Sequence, residues 1–89
     1  MAKKRERLQV IRDILKVTQN NRKIKPTRLL YSSNLSPQMF KDYVDELLEK
    51  GFIRPTEEKG KKYFIITEKG NNFLEEYRVI EKFVENFGL

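Results

Sequence analysis

Pro26-Thr27-Arg28-Leu29-Leu30-Tyr31-Ser32-Ser33-Asn34-Leu35-Ser36-Pro37-Gln38-Met39-Phe40 opens the stretch on which the fold turns. Pro26 suits a first helical position, where its missing N–H has no intrahelical partner, and Leu29 and Leu30 give that helix an inward face before it stops near Ser32. After the polar break, Ser36 is a good N-cap, Pro37 sits in the first turn, and Leu35 is placed to staple onto Phe40. Met39 holds the position where a capping-box acid would stand. Along the next helix Phe40, Tyr43, Val44, Leu47 and Leu48 form a buried stripe, while Gln38, Lys41, Asp42 and Asp45 face away from it. Gly51 then supplies a left-handed C′ residue and Phe52 the contact to Leu47 of a Schellman ending. Two helices across a short polar break outline a helix-turn-helix, whose second helix is built to enter the major groove of DNA.

Working outward, Leu8, Ile11 and Leu15 with Val10, Ile14 and Val17 predict a first helix over residues 6–18, ended by the polar run Gln19-Asn20-Asn21-Arg22-Lys23. Ile24, alone between lysines, is a candidate single short strand. Phe52-Ile53-Arg54 and Tyr63-Phe64-Ile65-Ile66 read as two strands joined by a long charged turn with Lys59-Gly60 at its tip. Thr67 caps a last helix over about residues 68–87, in which Gly70 is tolerated at roughly 1 kcal/mol relative to Ala. The order predicts an α+β winged helix-turn-helix over residues 1–67 with a basic N-terminal arm. Residues 68–89 add a C-terminal helix to the same domain as its dimerisation element.

The 89 residues fit one domain and no more. With neither cysteine nor histidine, the chain has no disulfide framework, thiolate zinc site or imidazole-based catalytic centre. The longest apolar run, Tyr63 to Ile66, is far too short for a bilayer, and no secretory hydrophobic block follows Met1-Ala2-Lys3-Lys4-Arg5, so a cytoplasmic, nucleoid-associated protein is expected. The net charge of +6 is uneven: residues 1–30 carry ten Lys or Arg against two Asp or Glu, residues 31–89 nine against eleven. The N-terminal third therefore reads as the electrostatic footprint, the asymmetry expected where one face neutralises phosphate.

Ser36, Gln38, Lys41 and Asp42, at the start of the second helix of the motif, are the candidates for reading base edges: Gln for adenine, Lys for guanine, Asp for cytosine N4. Asp45, Glu46 and Glu49 make the rest of that helix anionic, which confines close approach to its first two turns. Lys23, Lys25, Thr27 and Arg28 would clamp a phosphate. Asn34, in the turn, is counted with the DNA-binding residues. Lys59, Lys61 and Lys62 would reach the backbone from the wing, and Lys3, Lys4, Arg5 and Arg7 would form a basic arm. The same residues also fit a merely solvated, charged surface.

In the last helix Phe73, Tyr77, Ile80, Val84 and Phe87 recur at heptad spacing, with Leu74 and Phe83 as a second apolar line. One line is expected on the core and the other on a second subunit. The glycines fall at backbone punctuation and build no phosphate loop, and the carboxylate pairs Glu57-Glu58 and Glu75-Glu76 lie on exposed stretches, so no enzyme, cofactor, metal or small-molecule substrate is expected. The expected partners are double-stranded DNA and a second copy of the chain; the rival is a winged helix used for protein–protein contact or RNA binding.

Thr27, Arg28, Tyr31, Asn34, Leu35 and Ser36, together with Leu47-Leu48-Glu49-Lys50-Gly51-Phe52-Ile53 and Thr67-Glu68-Lys69-Gly70, resemble the archaeal winged-helix regulators that include the small basic chromosomal DNA-binding proteins of Sulfolobus. The resemblance covers most of the chain. It implies a winged-helix dimer joined through its C-terminal helices and binding double-stranded DNA without a cofactor. In the chromosomal members that helix is long enough for an extended antiparallel coiled coil. Here the sequence stops at Leu89, which leaves a compact dimer or a monomer open.

Overall fold

The computed structural model describes residues 6–89. They form α1 (Arg7–Asn20), α2 (Pro26–Ser33), α3 (Pro37–Glu49), β1 (Ile53–Glu58), β2 (Lys61–Ile66) and α4 (Glu68–Asn86). At the start of α1 the Gln9 side-chain oxygen accepts from the Glu6 backbone N–H at 3.0 Å. The helix runs past Thr18 because that residue is fully buried, with its hydroxyl donating to the Ile14 carbonyl at 2.8 Å. Val10, Ile11, Ile14 and Leu15 of α1 form the centre of the core, met by Ile24, Leu29, Phe40, Val44, Leu47, Ile53 and Leu74.

The turn between α2 and α3 is fixed by local polar contacts. Ser33 donates through its hydroxyl to the Leu30 carbonyl at 2.7 Å and accepts from the Leu35 N–H at 3.3 Å, and Asn34 takes the left-handed conformation with φ 60°. Ser36 then accepts from the Met39 N–H at 3.2 Å, the predicted N-cap. At the far end the Phe52 N–H reaches the Leu47 carbonyl at 2.9 Å and the Gly51 N–H that of Leu48 at 3.2 Å, with Gly51 at φ 78°. This is the expected Schellman ending, and it turns the chain straight into β1.

Ile24 does pair, through one isolated bridge to Phe64 whose two backbone hydrogen bonds measure 3.0 and 2.8 Å. The wing differs from expectation. Its strands continue to a two-residue turn, Lys59-Gly60, with φ of 52° and 77°, the positive pair that a tight I′-type hairpin requires. In the antiparallel register Glu57 stands opposite Lys62 and Glu58 opposite Lys61. The strands thus continue through a run whose composition alone reads as loop.

Gly70 also departs from expectation. It is buried within the first turn of α4, and a Cβ there would lie 2.4 Å from the Phe52 carbonyl oxygen and 2.6 Å from Cγ1 of Ile66. The glycine is thus a site of close approach between α4 and the base of the wing, not a tolerated defect. Thr67 completes the junction: it accepts from the Gly70 N–H at 3.1 Å and its hydroxyl donates to the Gly51 carbonyl at 2.6 Å.

Candidate nucleic-acid interface

The start of α3 presents Ser36, Gln38, Lys41 and Asp42 to solvent, as the sequence predicts. Their side chains are engaged with one another and with their own helix. Gln38 Nε2 donates to Asp42 Oδ1 at 3.1 Å, and Lys41 Nζ to Asp45 Oδ2 at 2.7 Å, both across one turn. The hydrogen bond to Asp45 raises the Lys41 ammonium above its ordinary range.

Thr27, Asn34 and Ser36 are brought together around one open cleft of about 600 Å³ between α2 and the start of α3, floored by Leu30, Leu35 and Pro37. Tyr31 also lines it, 84% exposed. Tyr31 is not among the DNA-binding candidates that the sequence singles out. Its signal in the sequence is position: it lies one helical turn beyond Thr27 and off the inward Leu29 face.

The cations divide differently from the sequence expectation. Arg7 binds Glu46, which Lys50 also contacts at 2.7 Å, and these two bonds, Arg7 first, hold the Glu46 carboxyl at about 2. Arg12 meets Asp13 at 2.9 Å and Glu81 at 3.6 Å. Lys23 binds Glu58 and lies 4.7 Å from the centre of the Tyr63 ring. That places it against the wing instead of beside the start of α2. Three cations of the N-terminal third are therefore already matched by carboxylates, because the fold carries their partners in from α3, α4 and the wing. Two of the carboxylates read as making α3 anionic, Asp45 and Glu46, have cations of their own. Lys25 and Arg28 at the start of α2, and Lys59, Lys61 and Lys62 on the hairpin, are exposed and hold no ion pair among the described residues. Lys3, Lys4 and Arg5 lie outside the described residues.

The apolar lines of α4 divide along the helix, not around it. Leu74 is buried, Phe73 packs edge-on against Phe52 with ring centres 5.7 Å apart, and Tyr77 stacks on Phe73 at 5.9 Å. Burial raises the Tyr77 phenol above its ordinary range. Beyond Tyr77 both lines emerge: Ile80, Phe83, Val84 and Phe87 are exposed, as is Val79 outside them, Ile80 by 58% and Phe87 by 68%. Ile80, Val84 and Leu89 face Leu8 of α1 across a groove of about 570 Å³ edged by Glu6, Glu81 and Glu85. Phe73 is thus part of this chain's own core, because α1 and the base of the wing cover only the first turns of α4.

Among the described residues no group of three or more carboxylates is placed to hold a metal ion, and no helix is long and apolar enough to cross a membrane. Residues 4–85 match the family model described as winged helix-turn-helix. The chain belongs to that family. Among solved structures, the winged helix superposes on Sso10a-2, a DNA-binding protein from Sulfolobus solfataricus, with TM-score 0.76 and 26% identity, covering 93% of this chain and 85% of that one. SSV1 F-93 matches with TM-score 0.68 and 26% identity over 91% of this chain and 96% of that one. Two uncharacterized proteins of Methanocaldococcus jannaschii are also similar. MJ0287 is 39% identical over 75% of this chain, and MJ0290 31% identical over 91%. The chain spans 64% of the first and 36% of the second.

Proposed function

We propose that this winged helix binds double-stranded DNA as a homodimer, as a transcriptional regulator or chromatin-associated protein of the nucleoid, with base selectivity confined to the first two turns of α3. The observation that carries the reading is the capped, solvent-facing start of α3, together with the exposed cations of α2 and the hairpin. Ser36, Gln38 and Lys41 supply groups suited to base edges, and Lys25, Arg28, Lys59, Lys61 and Lys62 supply charge for phosphate. The description of Sso10a-2 as DNA-binding supports the same partner. The emergent apolar half of α4, Ile80 to Phe87, supports the dimer: a contiguous set of uncovered large apolar side chains marks an interface.

A two-fold axis through α4 that presents two α3 helices one DNA turn apart would give a near-palindromic site with half-sites about 10 bp apart. The test is competition among duplex DNA, single strands and structured RNA at fixed salt, followed by footprinting on the preferred duplex. Preference for duplex with two symmetric half-sites is expected. Preference for RNA, or an asymmetric single half-site, would contradict the partner or the dimer respectively.

A further inference from the structure

Gln38 and Asp42 form a contact whose chemistry admits one orientation. A glutamine amide carries two donor hydrogens on Nε2 and an acceptor oxygen, whereas an ionised carboxylate only accepts. The 3.1 Å contact to Asp42 Oδ1 therefore commits one Nε2 hydrogen and turns Oε1 away from the carboxylate. The neighbouring Lys41–Asp45 bond at 2.7 Å occupies the adjacent ammonium with a different carboxylate and leaves Asp42 to the amide.

We propose that Asp42 is a positioning residue: by holding one amide hydrogen of Gln38 it makes that side chain discriminate adenine from guanine. This rests on the reading that α3 enters the major groove of duplex DNA. Adenine offers a donor and an acceptor there, N6–H and N7, whereas guanine offers two acceptors, O6 and N7. An unrestrained glutamine satisfies either, with Oε1 and one hydrogen for adenine or with both hydrogens for guanine. With one hydrogen held by Asp42, an acceptor and a single donor remain, which match adenine. Guanine would then set its O6 against Oε1, leaving two acceptors facing each other without a proton. Asp42 thus acts on the base through Gln38, in place of the direct contact to cytosine that its residue type alone implies. Its negative charge also opposes phosphate, which lowers affinity for every sequence alike.

The test measures dissociation constants of the full chain for matched duplexes differing only by A·T or G·C at the position Gln38 contacts, beside an unrelated duplex. Wild type is expected to favour adenine. Asp42→Ala should lower the adenine-to-guanine ratio about tenfold while strengthening binding to the unrelated duplex. Asp42→Asn, whose amide can accept or donate and so lets Gln38 flip, should also lose the ratio. Asp42→Glu, which keeps an acceptor, should retain it. If Asp42→Ala strengthens all duplexes by one factor and leaves the ratio intact, Asp42 is only a repelling charge and the proposal is overturned. Loss of a cytosine preference at another position would overturn it in favour of direct reading. Wild type that binds duplex no better than single strands at the same salt would instead remove the DNA reading on which the proposal stands.

Discussion

Replacing Gly70 by Ala sets two effects against each other, and the geometry decides which wins. In a helix interior Ala is favoured over Gly by about 1 kcal/mol, so helix propensity alone predicts a stabilised protein. The new Cβ, however, would lie 2.4 Å from the Phe52 carbonyl oxygen, a backbone atom that also accepts from the Thr67 N–H at 3.1 Å. Relief to 3.0 Å, the limit for such contacts, requires a backbone shift of at least about 0.6 Å where β1 meets α4, and overpacking of this kind costs about 1–3 kcal/mol. Because the neighbour is backbone and not the end of a flexible side chain, the upper part of that range applies. The net effect is a loss of about 1–2 kcal/mol, or a Tm lower by roughly 5–15 °C for a domain of this size. Thermal and urea unfolding of Gly70→Ala measure it. Gly60 provides the internal contrast: its φ is +77° and nothing lies within 4 Å of its Cβ position, so strain there is torsional. Asn should outperform Ala at residue 60, where the left-handed conformation is the issue, and be no better than Ala at residue 70. A Gly70→Ala protein as stable as wild type, or more so, would refute the steric argument.

Three further outcomes follow from the ion pairs, the wing and α4. The folded-state pKa of Glu46, about 2, lies below its ordinary 4.5, so this group contributes stability that is present above about pH 4.5 and lost as pH falls through 2. Because Arg7 and Lys50 are more than half exposed, the contribution is discounted to about 1 kcal/mol, and Glu46→Gln should flatten the acid limb of a urea-midpoint-against-pH curve by that amount. An unchanged limb would show that the bonds do not persist in solution. Lys61→Ala should weaken binding to all duplexes alike and reduce the salt dependence by about one phosphate contact, measured as the slope of log K against log salt; an altered base preference would contradict a backbone role. Ile80→Glu should convert the proposed dimer to monomers by light scattering, and a mutant that remains dimeric would move the interface elsewhere.

The elements legible in the sequence are those whose cause is local. Ser36 and Pro37 start α3, Gly51 ends it and Thr67 starts α4, each through contacts within a few residues. Ile24 stands out as one apolar residue in a polar run, although its partner, Phe64, lies far along the chain. What was hidden depends on residues far apart in the chain. The outer half of the wing, where Glu57 stands opposite Lys62 and Glu58 opposite Lys61, is invisible as strand until the register is known. Gly70 looks like a weakness until Phe52 and Ile66 are placed beside it. The basic N-terminal third reads as free charge until Glu46, Glu81 and Glu58 fold back onto Arg7, Arg12 and Lys23. Likewise the heptad spacing of α4 marks which residues are apolar, but only the packing on α1 shows that burial stops after Tyr77. Around the start of α3, exposure of Gln38, Lys41 and Asp42 follows from helical periodicity, whereas the Gln38–Asp42 bond depends on side-chain placement that spacing alone does not specify.

The central claim is that the first turns of α3 read duplex DNA, and selection from a random duplex pool at moderate salt, run in parallel for wild type and Gln38→Ala, tests it most directly. The expected result is a near-palindromic motif for wild type, with half-sites about 10 bp apart and an adenine at the Gln38 position whose preference weakens by about 1–3 kcal/mol in the variant. Failure to enrich any duplex sequence, or an identical motif from both proteins, would contradict it.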